Sequence, residues 1–195
     1  MKYIEVEGVK ELKAFYVELE AEISIARKSC SFHCFEGCGA CCYSPSKNLE
    51  VTLFEAIPMA QAIIESGEHE AVLASLEEGD CAERPCLFYV KNSPDGKMGA
   101  CTNYQTRPLI CRLFGSSVKN MSTESRVPIV CKELKALHFD DVAKLTKLRN
   151  LLPIAGQTSA KARAFNPILS SELLPLNEAV KRALYYLLMR MDYSK

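Results

Sequence analysis

The chain has 195 residues, 48% hydrophobic and 25% charged, a composition that excludes wholesale disorder and leads to the expectation of one domain over residues 1–195. Lys+Arg and Asp+Glu both number 24, so no global basic field concentrates nucleic acid or anionic lipid. The longest run without a charged side chain is Asn150 to Ala160, far short of the roughly 18 apolar residues of a membrane span, so neither a membrane nor a nucleic acid is an expected partner.

In chain order, Val9, Leu12, Phe15, Tyr16, Leu19, Ile23 and Ala26 recur at three- and four-residue steps opposite Glu11, Glu18, Glu22 and Lys28, which predicts an amphipathic N-terminal helix over 9–29. Thr52 and Glu55 have capping-box spacing, and Leu53, Phe54, Ile57, Ala60, Ile63 and Ile64 continue at helical period to Ser66-Gly67. Pro58 lies too deep for the first turn, so this helix is expected to begin nearer Ala56 or to kink. A short helix over 68–78 closes at Gly79. Leu87 to Val90, the turn Ser93-Pro94-Asp95-Gly96 and Met98 to Thr102 read as a small β-hairpin with Cys86 and Cys101 near its open end. Thr106-Arg107-Pro108 starts a further helix, with Cys111 one turn on. Beyond Cys131, Val142, Leu145, Leu148 and Leu152 share a helical face that ends at Pro153, and residues 177–191 predict a closing core helix. There are no internal repeats, and strands and helices do not alternate as a parallel sheet requires. The expected fold is mostly α with a small β-hairpin, one metal-stabilised domain around a central cysteine cluster, with 132–195 forming a C-terminal helical part.

Ten cysteines pose the first chemical question, disulfides or metal. The segment MKYIEVEGVKELK carries charges throughout and no apolar stretch of the kind that directs secretion, so the expected compartment is the reducing cytoplasm. There a dense cysteine set is more often a metal or redox site than a disulfide framework, and a chain of this length needs no staples. All ten lie between residues 30 and 131, five of them from Cys30 to Cys42.

The first block reads Cys34-Phe-Glu-Gly-Cys38-Gly-Ala-Cys41-Cys42. Such spacings let thiolates converge on one centre, with Gly37 and Gly39 supplying unusual dihedrals and backbone N–H groups for sulfur. Adjacent side chains normally diverge. The pair Cys41-Cys42 therefore serves two ions, or one member bridges or exchanges, or one is structural; the first reading is preferred, since Cys86, Cys101, Cys111 and Cys131 supply further sulfurs. Cys30 and Cys81 fit no block and read as structural. Arg107 and Arg112 flank Cys111, either to favour thiolate or as ordinary ion-pair or helix-end contacts. Tyr104 reads as packing. His33 and His138 lack ligand spacing and read as solvated or hydrogen-bonded.

Cys38-Gly-Ala-Cys41-Cys42, Pro85-Cys86-Leu87-Phe88 and Gly99-Ala-Cys101-Thr-Asn-Tyr104-Gln-Thr-Arg107-Pro108-Leu-Ile-Cys111-Arg112-Leu-Phe114 occur in that order. Over residues 34–131 the string resembles the family of zinc- or iron-chelating proteins named for its CxxCxxCC motif. The resemblance implies eight cysteines at a metal site, here Cys34, Cys38, Cys41, Cys42, Cys86, Cys101, Cys111 and Cys131. Cys34 stands one residue farther from Cys38 than the motif's name specifies, and Cys131 lies in no distinctive local string.

Cys34-x3-Cys38-x2-Cys41 also matches the triad with which radical S-adenosylmethionine enzymes hold a four-iron cluster, although the strand-helix repeats of those enzymes are absent. Soft thiolates suit zinc and iron–sulfur clusters alike, so the cofactor is zinc or iron. The sequence carries no Gly-x-Gly-x-x-Gly, phosphate loop, His-Glu-x-x-His or Gly-x-Ser-x-Gly. The block is faintly similar to that of flagellin lysine N-methylases. The expected function is a cytoplasmic metal-chelating protein, with an iron–sulfur enzyme or accessory module and a zinc-stabilised protein-interaction module as alternatives.

Overall fold

Two helices buried on most of their circumference form the spine of the fold. In a computed structural model, residues 4–28, 37–120, 126–131 and 151–192 are described. The expected amphipathic stripe forms α1 (Val9–Lys28), and its seven apolar positions are all buried. The two short stretches α2 (Ala40–Tyr43) and β1 (Glu50–Thr52) follow, and β1 leads directly into α3 (Leu53–Ser66).

Helix α3 starts where the capping box places it: the Thr52 hydroxyl accepts from the Glu55 N–H while the Glu55 carboxylate accepts from the Thr52 N–H. Pro58 lies inside it, so the alternative of a start nearer Ala56 does not hold. A proline inside a helix costs ~3 kcal/mol, but Phe54, Ala56, Ile57 and Ala60 are fully buried around it, and that burial outweighs the missing hydrogen bond. The final element, α7 (Leu176–Asp192), packs along α3 and presents Ala179, Val180, Ala183 and Leu184, all fully buried; the two alanines permit close approach.

Between them lie α4 (His69–Glu77), the hairpin β2 (Tyr89–Lys91) with β3 (Gly99–Cys101), α5 (Leu109–Leu113) and the pair β4 (Val118–Asn120) with β5 (Arg126–Pro128). Next come α6 (Ala155–Ala164) and β6 (Leu173–Pro175), and β6 pairs antiparallel with β1 in the register Val51 to Leu174. That pair ties the entry of α3 to the entry of α7. The architecture is mostly α with small antiparallel strand pairs, as expected, although only one of the three pairs among the described residues was anticipated.

The expected helix through Val142, Leu145 and Leu148 lies outside the described residues. Leu152 is buried with Ala26 and Val118 in a small second core cluster. Among the described residues no helix is long and apolar enough to cross a membrane.

Candidate metal centre

The thiols are brought together by backbone hydrogen bonds between segments that are distant in sequence. The turn ahead of α2 is stitched to the β2–β3 hairpin: Gly99 N–H donates to Gly37 O at 2.7 Å and Gly39 N–H to Lys97 O at 2.8 Å. Cys38 and Met98 form an isolated antiparallel bridge in the same seam. Cys86 N–H donates to Cys42 O at 2.9 Å, and Tyr89 N–H to Cys86 O at 3.0 Å. Tyr89 pairs with Cys101 across the hairpin. Cys86 and Cys101 therefore sit at the hairpin's open end, as the sequence predicted, and the Cys41-Cys42 stretch lies alongside.

Cys111 arrives on α5, which begins just after Pro108. Glu55 docks that short helix. One of its carboxylate oxygens accepts the Leu109 N–H at 3.1 Å, and the other accepts the Thr52 N–H and hydroxyl at 3.1 and 3.0 Å. One buried carboxylate thus caps α3 and holds α5, a role that only its long-range contact reveals.

The glycine assignment is half corrected. Gly37 has φ +79°, the left-handed conformation expected of it. Gly39 has an ordinary φ of −115°, and its N–H serves Lys97 O instead of a sulfur. What Gly39 supplies is space: a Cβ there would lie 2.2 Å from the Tyr89 ring, and one at Gly99 would lie 2.1 Å from the same ring and 2.5 Å from Val90 O. The Tyr89 hydroxyl lies within hydrogen-bond distance of Gly96 O and Met98 O, and its ring leans on Tyr43. Tyr89 thereby fixes the hairpin against the cysteine turn. The sequence reading treated it only as part of a β-prone run.

Two of the sulfurs lie directly against each other. The Cys41 and Cys42 sulfurs are 3.9 Å apart, so this adjacent pair converges instead of diverging. Two thiolates on one tetrahedral zinc, each ~2.3 Å from the metal, stand about 3.8 Å apart. The hydrogen bond from Cys42 is the main influence lowering the Cys41 thiol, to about 7, and it drives the Cys42 thiol upward, with burial and the charges of Cys41, Cys86 and Cys111 adding to the rise. Burial pushes the Cys86 thiol up to about 12, with Cys101 and Cys41 contributing. Burial also raises Cys111, followed by the charges of Cys86 and Cys41, and it raises Cys101. The charges of Cys41 and Cys86 thus bear on Cys111 and Cys42, and that of Cys41 on Cys101.

The two arginines take different parts. Arg112 is buried and donates to Arg107 O at 2.9 Å, to Gln105 O at 2.8 Å and to the Glu20 carboxylate at 2.7 Å, with its guanidinium over the Tyr16 ring. It clamps the loop before α5. Arg107 opposes the upward shifts of Cys101 and Cys111.

The other assigned cysteines have these surroundings. Cys38 lies in the seam and its charge reaches Tyr89. Cys131 packs against the second core cluster. Cys81, read as structural, is buried in the main core and donates to Glu178 at 3.6 Å. Cys30, His33, Cys34 and His138 lie outside the described residues.

All eight described cysteines are free thiols. Among the described residues, no group of three or more His, Cys, Asp or Glu side chains is arranged to hold a metal ion as it stands. The five neighbours are thus a gathered donor set, not a closed ligand sphere. Their chemistry, all sulfur and partly or wholly buried, fits a soft-ligand metal.

Residues 33–136, more than half of the chain, match the family model CxxCxxCC, whose description is "Putative zinc- or iron-chelating domain". No curated protein and no solved structure matches the chain.

Proposed function

The chain belongs to the CxxCxxCC family, and from that membership we propose that it chelates zinc or iron through cysteine thiolates drawn from three separate segments. The observation that carries the reading is geometric: the Cys41 and Cys42 sulfurs converge to 3.9 Å, and backbone hydrogen bonds tie Cys42 to Cys86 and Cys86 to Tyr89, which pairs with Cys101. Cys38 and Cys34 extend the first block toward the same place in sequence, and Cys131 completes the donors that the family implies.

A buried set of neutral thiols gains little from being together. Burial and mutual repulsion hold Cys42, Cys86 and Cys111 in the protonated form. A bound cation reverses that balance by stabilising thiolate directly, and each proton displaced makes binding stronger as pH rises. Filled by zinc, such a site is closed and structural; filled by iron as a cluster, it supplies one-electron redox chemistry. The residues around it contribute rigidity: Tyr89 and Glu55 set the positions of the hairpin and α5. The lack of a disulfide among the eight described cysteines accords with a reducing compartment such as the cytoplasm.

Elemental analysis of protein purified anaerobically, with its visible spectrum before and after dithionite, tests the proposal and identifies the metal. The expected result is stoichiometric zinc in colourless protein or stoichiometric iron with bleachable absorption, lost in Cys41→Ser and Cys86→Ser. Protein with no stoichiometric metal under any loading condition would overturn it.

A further inference from the structure

Neighbouring residues of a helix do not face each other, because each step turns the chain by about 100°. Cys41 and Cys42 break that rule within α2, where their sulfurs lie 3.9 Å apart. The stretch that carries them is held on both sides. Tyr43 N–H donates to Gly39 O at 2.8 Å and the Ser44 hydroxyl to Ala40 O at 3.1 Å, which closes the turn. Cys42 O accepts the Cys86 N–H at 2.9 Å, which ties the turn to the segment before the hairpin, and the Tyr43 ring leans on Tyr89.

Two sulfurs at this separation can share a proton, a covalent bond or a metal atom. A proton gives the S–H···S contact of two thiols. A covalent bond is disfavoured: bridged cysteines usually have Cα atoms about 4.4–6.8 Å apart, whereas consecutive Cα atoms across a trans peptide stand only about 3.8 Å apart. A metal atom fits without rearrangement. Bonded to both sulfurs at ~2.3 Å, it spans the 3.9 Å with an angle of ~116°, close to tetrahedral.

That separation discriminates between the centres that thiolates build. A four-iron cluster held by four cysteines takes one on each iron, so no two of its cysteines share a metal atom. A mononuclear site and a two-iron cluster both place two cysteines on one atom. We propose that Cys41 and Cys42 ligate one and the same metal atom, so that the pair neither divides between two ions nor forms part of a four-iron cluster. The inference rests on the metal-chelating reading and deepens it. It replaces the two-ion arrangement preferred from sequence and the four-iron triad that the spacing of Cys34, Cys38 and Cys41 allowed. Cys86, whose backbone is bonded to that of Cys42, is the next ligand in line.

Two measurements on the whole chain, purified and loaded without oxygen, test the proposal. Cobalt(II) titration, followed through the thiolate charge-transfer band, counts ions per chain in wild type and in the Cys41→Ser/Cys42→Ser double variant. One shared atom predicts a double variant that binds one equivalent fewer than wild type. A loss of two equivalents, or no loss, would overturn the inference. The second measurement needs no variant: wild-type protein is loaded with iron(II) and sulfide, and iron and acid-labile sulfide are counted. One iron without sulfide, or two irons with two sulfides, is the expected result, whereas four of each per chain would overturn the inference. If the serine double variant does not fold, as judged by circular dichroism of chelator-treated protein, alanine at both positions takes its place and the iron count stands by itself. Failure of wild-type protein to take up either metal would overturn the metal-chelating reading, and the inference with it.

Discussion

Gly39→Ala tests most sharply how the cysteine turn is held. The three atoms nearest the added Cβ all belong to the Tyr89 side chain, Cε2 at 2.2 Å and Cζ and the hydroxyl at 2.7 Å, whereas ordinary contact is about 3.4 Å or more. The ring must retreat by roughly 1 Å, which disturbs the approach of its hydroxyl to Gly96 O and Met98 O. Overpacking of this kind costs ~1–3 kcal/mol and the weakened hydrogen bond ~1 kcal/mol more, so Gly39→Ala is expected to destabilise by about 2–4 kcal/mol. Tyr89→Ala removes every atom of that clash, so the double variant should be more stable than the sum of the single effects by at least about 1 kcal/mol. Gly99→Ala is the control: its Cβ also meets Val90 O at 2.5 Å, a backbone atom that Tyr89→Ala leaves in place, so rescue there should be far smaller. Urea unfolding of chelator-treated protein, with all six forms at one pH, supplies the numbers. Additive effects at Gly39 within about 0.5 kcal/mol, or equal rescue at both glycines, would refute the claim that Tyr89 packs against this turn.

Three further outcomes follow from the same contacts. Cys86→Ser should lower metal content, whereas Cys81→Ser, a change in the main core where Glu178 can still accept a hydrogen bond, should leave it unchanged at a cost of about 1 kcal/mol in thermal stability; equal metal loss in both would contradict the assignment. In chelator-treated protein the Cys86 thiol is held up to about 12 by burial against an ordinary value of 9.0. Its folded-state value is raised, so its contribution to stability is complete below about pH 9 and is lost as pH climbs toward 12; urea midpoints should fall across that window less steeply in Cys86→Ala than in wild type, and identical slopes would count against it. Glu55→Gln removes the charge that serves both Thr52 and Leu109, and should destabilise the protein by ~1–3 kcal/mol and weaken metal retention together, as calorimetry and metal analysis would show; unchanged metal affinity would mean that α5 is positioned by other contacts.

The helical frame was legible because its signals are local. The stripe from Val9 to Ala26, the Thr52–Glu55 box and the apolar face of residues 177–191 each lie within one element, and each forms as read. Helix α6 escaped because Ala155–Ala164 has no apolar stripe: among its residues only Thr158 and Ala162 are buried. Strands β1 and β6 escaped because each is three residues long and their pairing joins Val51 to Leu174, a contact without a local sequence signature.

The same division runs through the site. Ordered cysteine blocks and the hairpin were enough to bring Cys86 near Cys101 and both near Cys41-Cys42. They could not separate Arg107 from Arg112, since both pair with Glu20 and the distinction rests on the burial of Arg112 against the Tyr16 ring, a contact far away in sequence. Gly39 looked like a dihedral requirement because sequence does not show that an aromatic ring crosses the turn, and the convergence of the Cys41 and Cys42 sulfurs depends on side-chain rotation within α2.

X-ray absorption at the metal edge of the loaded 195-residue chain tests the central claim most directly. The account predicts a first coordination shell made of sulfur, at ~2.3 Å if the metal is zinc, with sulfur scatterers lost on replacing Cys41 or Cys111, residues 70 positions apart that share one centre. A shell dominated by oxygen or nitrogen, or one unchanged by either replacement, would contradict it.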